Sequence, residues 1–258
     1  MANPAVFTTS WDDGHPLDLR VADLLSRHGF QGTFYVPISN REGLPVMRPG
    51  EIRRLDETFE IGSHTIDHCY LRTVGAGEAR RQIAGGKDQL EQILGHGVGG
   101  FCYPGGHYAG QHRQMVMDTG FGYARTGASF HRIVPADPFA VPTTVQFYPH
   151  SRDGLARNFL SHGDWRRRAS LCRVALWRRD LMSRLQALLD QVCSRGGVFH
   201  LWGHAWELEA FDGWRQLERF LAHAAERISA GGRLTNRQAL QTAGGGGPAP
   251  SAFASRPL

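Results

Sequence analysis

Residues 5–36 read AVFTTSWDDGHPLDLRVADLLSRHGFQGTFYV. Ala5 to Trp11 reads as a strand, and it runs into two adjacent carboxylates, Asp12 and Asp13. Gly14 permits a sharp turn directly after them. From Pro16 to His28 the apolar residues Leu17, Val21, Leu24 and Leu25 fall on one face, the spacing of an amphipathic helix. Thr33 to Val36 is β-branched and aromatic, a second strand. Strand, helix, strand in this order implies parallel pairing through a right-handed crossover.

Working outward, the unit repeats. Pro49 to Leu55 opens with Pro and Glu as helix starts do, and Phe59 to Gly62 follows as a strand. Glu78 to Leu94 is a long helix with Ile83, Leu90 and Ile93 inward, then Gly100 to Tyr103 is a strand. Gln111 to Thr119 reads as a helix, Gly122 to Arg125 and Val141 to Phe147 as strands, and Leu181 to Cys193 as a helix. Val198 to Leu201 is a late strand and Trp214 to Ile228 the last long helix. About seven such units predict a distorted α/β barrel in one domain, residues 1–241, with its chemistry where the strands end at their carboxyl side. Residues 242–258 are rich in Gly, Pro and Ala without periodicity and are expected to form a disordered tail.

The composition narrows the class. With 41% apolar and 21% charged residues the chain fits an ordinary soluble globular protein. Four cysteines, Cys69, Cys102, Cys172 and Cys193, form no C-x-x-C pair, which argues against a zinc ribbon or a disulfide scaffold. Met1-Ala2-Asn3-Pro4 leads straight into the first strand with no basic, apolar leader, so a cytoplasmic location is expected. No apolar run is long enough for a membrane span. The formal charge of +5 is concentrated in Arg166-Arg167-Arg168, Arg173, Arg178 and Arg179. Leu171, Val174, Ala175 and Leu176 between them predict an amphipathic helix with a basic outer face. No nucleic-acid motif accompanies it, so no nucleic-acid partner is expected.

Four segments carry chemistry, and all fall where a predicted strand hands over to its loop. Ser10-Trp11-Asp12-Asp13-Gly14 ends the first strand. In Ser63-His64-Thr65-Ile66-Asp67-His68 two histidines four residues apart would share one face of a helical turn and could grip one metal. Either segment alone is as readily a plain loop. Together, one carboxylate and two imidazoles give three protein ligands with room for water, the count of a catalytic metal site. Phe101-Cys102-Tyr103-Pro104-Gly105-Gly106 forms a tight loop whose N–H groups could meet an oxyanion. Phe199-His200-Leu201-Trp202-Gly203-His204 places His204 at a strand end, where a general acid could stand.

These segments, in this order, resemble the polysaccharide deacetylase family (carbohydrate esterase family 4, the NodB-homology domain). Ser10-Trp11-Asp12-Asp13-Gly14 is similar to its T-F-D-D-G motif, His64 to His68 matches H-[ST]-x-x-H, and Leu201-Trp202-Gly203-His204 matches L-x-x-H. The resemblance implies a distorted (β/α) barrel, with Asp12 as general base and Asp13, His64 and His68 as ligands of a divalent metal. It implies His204 as general acid, Leu201 beside the acyl methyl and the Gly105 N–H as oxyanion donor. Where the family's third motif, R-x-P-x-G, has arginine, this chain has Cys102, and the family's fourth-motif aspartate has no counterpart near Tyr123-Ala124-Arg125-Thr126. Arg125 is the one candidate to replace the missing arginine.

The implied reaction is metal-assisted hydrolysis of an N-acyl group, most readily an N-acetyl group on an amino sugar, a small molecule or an oligosaccharide. The ligand set suits Zn2+, with Co2+, Ni2+ or Mn2+ also fitting. Tyr103, Pro104, Trp202 and Trp206 are expected to line the substrate, the two indoles by stacking on a sugar ring; Glu207 and His150 are further polar candidates. The alternatives are hydrolysis of another C–N bond (a formamide, cyclic imide or ureide) on the same scaffold, or a non-catalytic carbohydrate-binding protein. Residues 148–180 carry no family motif and are expected to serve as a lid or a dimer contact.

Overall fold

The computed structural model describes residues 5–133 and 135–243. The elements in chain order are β1 (Ala5–Asp12), α1 (Asp18–Arg27), β2 (Thr33–Val36), α2 (Pro49–Asp56), β3 (Glu60–Ser63) and α3 (Ala76–Leu94). They continue as β4 (Gly100–Cys102), α4 (Gly110–Asp118), β5 (Tyr123–Arg125), β6 (Val145–Gln146), α5 (Arg152–Ser161) and α6 (Trp165–Trp177). The chain closes with α7 (Leu181–Arg195), β7 (Gly197–His204), α8 (Ala205–Ala210), α9 (Trp214–Arg227) and α10 (Asn236–Ala243). The seven strands form one parallel sheet in the order β5-β4-β3-β2-β1-β7-β6, curled into the distorted barrel that the strand–helix alternation predicts.

The predicted strand from Val141 to Phe147 shortens to β6, for a physical reason. Pro142 has no N–H to give a ladder, and the stretch changes partners around it. Val141 N–H donates to Ala124 O of β5, whereas Thr144 and Phe147 donate to His200 O and Trp202 O of β7. The stretch thus crosses the gap between the two edge strands, and a lone Arg125–Val141 bridge marks its β5 end. Of the tail expected over residues 242–258, residues 242 and 243 complete α10 and the rest lies outside the described residues.

Strand alternation sorts the side chains into two layers. Phe7, Trp11, Phe34, Phe101, Ala124, Phe199 and Leu201 point out into the core beneath the helices. Phe7 anchors it, its ring 4.7 Å from Phe30 and 5.5 Å from Phe199. The barrel interior is polar instead. Ser10 Oγ meets His200 Nε2 at 2.9 Å, Asn236 donates to Tyr35 Oη at 2.9 Å, and Tyr123 donates to Glu60 at 3.0 Å. These pairings satisfy most of the buried polar groups there, the condition for burying them without a large penalty, while Trp202 Nε1 and Arg125 Nε have no hydrogen-bond partner. The same alternation carries Asp12 and His204, register partners at the ends of β1 and β7, to the carboxyl end of the barrel.

Candidate active site

Asp13 is the first residue beyond β1, and its φ of 75° turns the chain so that its carboxylate faces the third strand's loop. His64 follows β3 directly. The two histidines do not share a helical turn as the spacing suggests: His64 to His68 is an irregular loop in which Thr65 and His68 take φ of 68° and 59°. The left-handed residues bring both imidazoles to one point nonetheless. His64 Nε2 lies 3.6 Å and His68 Nε2 3.2 Å from Asp13 Oδ1.

The three side chains are buried, and their ligand atoms lie within 4.8 Å of one another. His64 Nδ1 sits 2.9 Å from the Cys102 carbonyl, so Nδ1 carries the hydrogen and Nε2 presents a lone pair to Asp13. Asp13 Oδ1 is buried and accepts no hydrogen bond. An orphaned carboxylate oxygen facing an imidazole lone pair is unfavourable by itself and fits a shared cation. Asp13 Oδ2 is occupied differently, accepting the Trp206 indole N–H at 2.9 Å. Burial works against the Asp13 charge; protonated imidazoles at His64, His204 and His68 would hold its carboxyl far below the usual range, the part a shared cation takes when they present lone pairs instead.

Asp12 occupies the interior side of the same turn. Its Oδ1 accepts from the Arg125 guanidinium, and Cys102 Sγ stands 3.7 Å from its Oδ2. Arg125 is fully buried, held between the Trp202 ring at 4.7 Å and the Tyr35 ring at 5.4 Å. Cys102 and Arg125 are register partners on β4 and β5, so the guanidinium comes from one strand beyond the cysteine. Burial raises the Cys102 thiol, which stays protonated and can turn its S–H to Asp12 or to the Tyr103 carbonyl.

His204 Nε2 lies 3.9 Å from Asp13 Oδ2, and its Nδ1 is 2.8 Å from Glu207 Oε2 on α8. Burial lowers the His204 imidazole, but the Glu207 hydrogen bond and the Asp13 and Glu207 charges outweigh it and leave the pKa raised. Glu207 is held in turn by Gln146 at 2.9 Å, and Gln146 by His150 at 2.7 Å. Glu207 and His150, expected as substrate contacts, therefore stand behind His204. A Glu three residues after the His on an ensuing helix is the signal that finds this pair.

The structure redistributes the remaining candidates. Leu201 is separated from His204 by three residues on a strand, and it points into the core on the opposite face. Trp202, not Leu201, shares the inward face with His204, its ring 5.4 Å away. Tyr103 is wholly buried, stacked on Tyr108 and donating to Phe139 O, so it offers no surface to a ligand. Pro104 is buried at the start of the turn. Trp206 stacks against His204 at 5.4 Å as well as bonding Asp13. Gly105 takes φ of 63°, and a Cβ there would stand 2.7 Å from the Tyr70 ring. Tyr70 also packs on His68 at 5.2 Å, so one ring spans the metal-capable triad and the glycine turn; the sequence offered no signal for it.

The polysaccharide deacetylase family model matches residues 2–124, just under half the chain, and takes in the first three of the four segments. Solved structures of similar fold cover nearly all of it. A structure from Mycobacterium smegmatis, provisionally named a polysaccharide deacetylase, aligns over 100% of this chain and 96% of its own at 15% identity and a TM-score of 0.66. The chitin deacetylase of Colletotrichum lindemuthianum aligns over 92% and 88% at 13% identity and a TM-score of 0.59. The family 4 acetyl xylan esterase of Clostridium thermocellum, in complex with a cobalt ion, aligns over 92% and 90% at 15% identity and a TM-score of 0.55. No curated protein matches the chain by sequence. These structures share the fold of this chain. Over residues 2–124 the chain is similar to the polysaccharide deacetylase family.

Proposed function

We propose that this protein is a metal-dependent N-deacetylase acting on an amino sugar or a molecule that contains one. The observation that carries the reading is the buried, unpartnered Asp13 Oδ1 facing His64 Nε2 and His68 Nε2. Asp13, His64 and His68 would hold a divalent cation, Zn2+ on ligand type, with Co2+, Ni2+ and Mn2+ also compatible; the cobalt ion in the Clostridium thermocellum esterase supports that choice. Such a cation polarises an acyl carbonyl and lowers the pKa of water. Trp206 keeps Asp13 Oδ2 occupied and so directs Oδ1 toward the imidazoles.

Asp12, steadied by Arg125, takes the proton of the attacking water. The Gly105 N–H is the donor proposed for the tetrahedral oxyanion. His204, protonated and oriented by Glu207, returns a proton to the departing amine. Trp202 and Trp206 bound the acyl and sugar side.

The test is acetate release from N-acetylated amino sugars, before and after exhaustive chelation. Activity falls to background in the apoprotein and returns with one equivalent of Zn2+ or Co2+. Acetate release that survives verified removal of metal refutes the reading.

The His204–Glu207 pair gives a second expectation. A general acid works only while protonated, so the rate falls as pH rises through its pKa. Glu207 raises that pKa; Glu207→Gln keeps the shape and removes the charge, and the alkaline limb of kcat moves to lower pH. A pH–rate profile reads the shift, and an unmoved limb removes His204 from the role.

A further inference from the structure

The arm formed by α5 and α6 is outside the residues matched by the family and plays no part in the site. Its composition is unlike that of the rest. Residues 152–180 carry eight arginines against three aspartates, a surplus equal to the whole formal charge of +5, so the remaining chain is balanced. Of the four large apolar side chains exposed among the described residues, three lie here: Leu160 at 64%, Trp165 at 54% and Trp177 at 82%.

The arm is firmly fixed. Arg168, expected on the basic outer face, is instead buried, its guanidinium donating to Ser129 O, Phe159 O, Gly163 O and both oxygens of Asn158. Asn158 donates to Gly127 O, and Gly127 packs against Gly106 of the site's own turn. On α6, Leu171, Cys172 and Ala175 face inward with Arg168. At 3.6 residues per turn the opposite face carries Arg166, Arg173 and Trp177, while Ser170 at its border accepts from Gln191 and Arg195 of α7. Trp165 opens the helix, and Arg178 and Arg179 follow Trp177.

Arginines alone would suit any polyanion. Exposed indoles at both ends of a basic helix suit a narrower partner, an interface with negative charge at its surface and an apolar layer just below. No described helix is long and apolar enough to cross a membrane, so the attachment is peripheral. We propose that the α5–α6 arm docks the protein onto an anionic lipid surface, with Trp165 and Trp177 seated at the headgroup level and Arg166, Arg173, Arg178 and Arg179 facing lipid phosphate. Docking needs neither the metal nor the acyl substrate, so it stands or falls apart from the deacetylase reading.

Co-sedimentation with vesicles tests it, using phosphatidylglycerol–phosphatidylcholine mixtures against pure phosphatidylcholine. The wild type binds the anionic vesicles and leaves the neutral ones. Arg166→Gln/Arg173→Gln weakens binding by about fivefold for each arginine, and Trp165→Ala/Trp177→Ala by about tenfold or more. Both double variants remain folded by circular dichroism, since the four side chains are exposed. Three outcomes overturn the proposal: no preference for the anionic vesicles, no effect of the tryptophan pair, or equal capture by soluble heparin with the tryptophan pair silent, which would mark a plain polyanion site.

Discussion

Asp12→Asn lowers acetate release by about 10²–10⁴-fold while bound metal stays at the wild-type ratio. The two adjacent aspartates are chemically alike, and their surroundings divide the work. Asp13 turns outward on a positive φ to the imidazoles, whereas Asp12 turns inward to the guanidinium and thiol. Asparagine at 12 keeps an oxygen for Arg125 and an NH2 toward Cys102, so the packing survives. What disappears is the lone pair that takes the proton of water. Asp13→Asn gives the converse, loss of metal first and of activity as a consequence. Metal analysis beside kinetics separates the two positions; equal metal loss in both variants would mean that Asp12 is a ligand rather than a base.

The parts of the molecule legible in its sequence are those set by local pattern. Thr33–Val36 is read to the residue because all four side chains are β-branched or aromatic, and all four are buried. The long amphipathic helices are legible by their periodicity. What is lost is what depends on distant partners. Arg152–Ser161 has a weak apolar stripe, with Leu155 its one fully buried residue, so the fold rather than the pattern makes it a helix. The His64-to-His68 spacing is compatible with a helical turn, and only the positive φ at Thr65 and His68 reveals a loop. Leu201 is different: its odd separation from His204 on a strand puts the two on opposite faces, and that is legible from the sequence alone. The Asp12–Arg125 pair joins residues 113 apart in sequence, and no local pattern announces it.

That pair carries the second large effect. Arg125→Met, which keeps much of the volume, costs about 3–5 kcal/mol of stability, the usual consequence of removing one partner of a buried ion pair. The stranded carboxylate of Asp12 is then left in the barrel with only the Cys102 thiol beside it, and kcat falls while KM for the sugar holds. Stability loss alone would not distinguish a positioning arginine from a structural one, so the decisive variant moves the cation. Cys102 and Arg125 are paired across β4 and β5, and Cys102 Sγ already points at Asp12 Oδ2. An arginine at 102 can therefore reach the same carboxylate from the neighbouring strand, provided 125 is made small to give it room. Arg125→Ala/Cys102→Arg regains most of the kcat lost in Arg125→Ala. Recovery of stability without kcat would show instead that the guanidinium works through its stack between Tyr35 and Trp202, holding the wall of the site rather than the charge of the base.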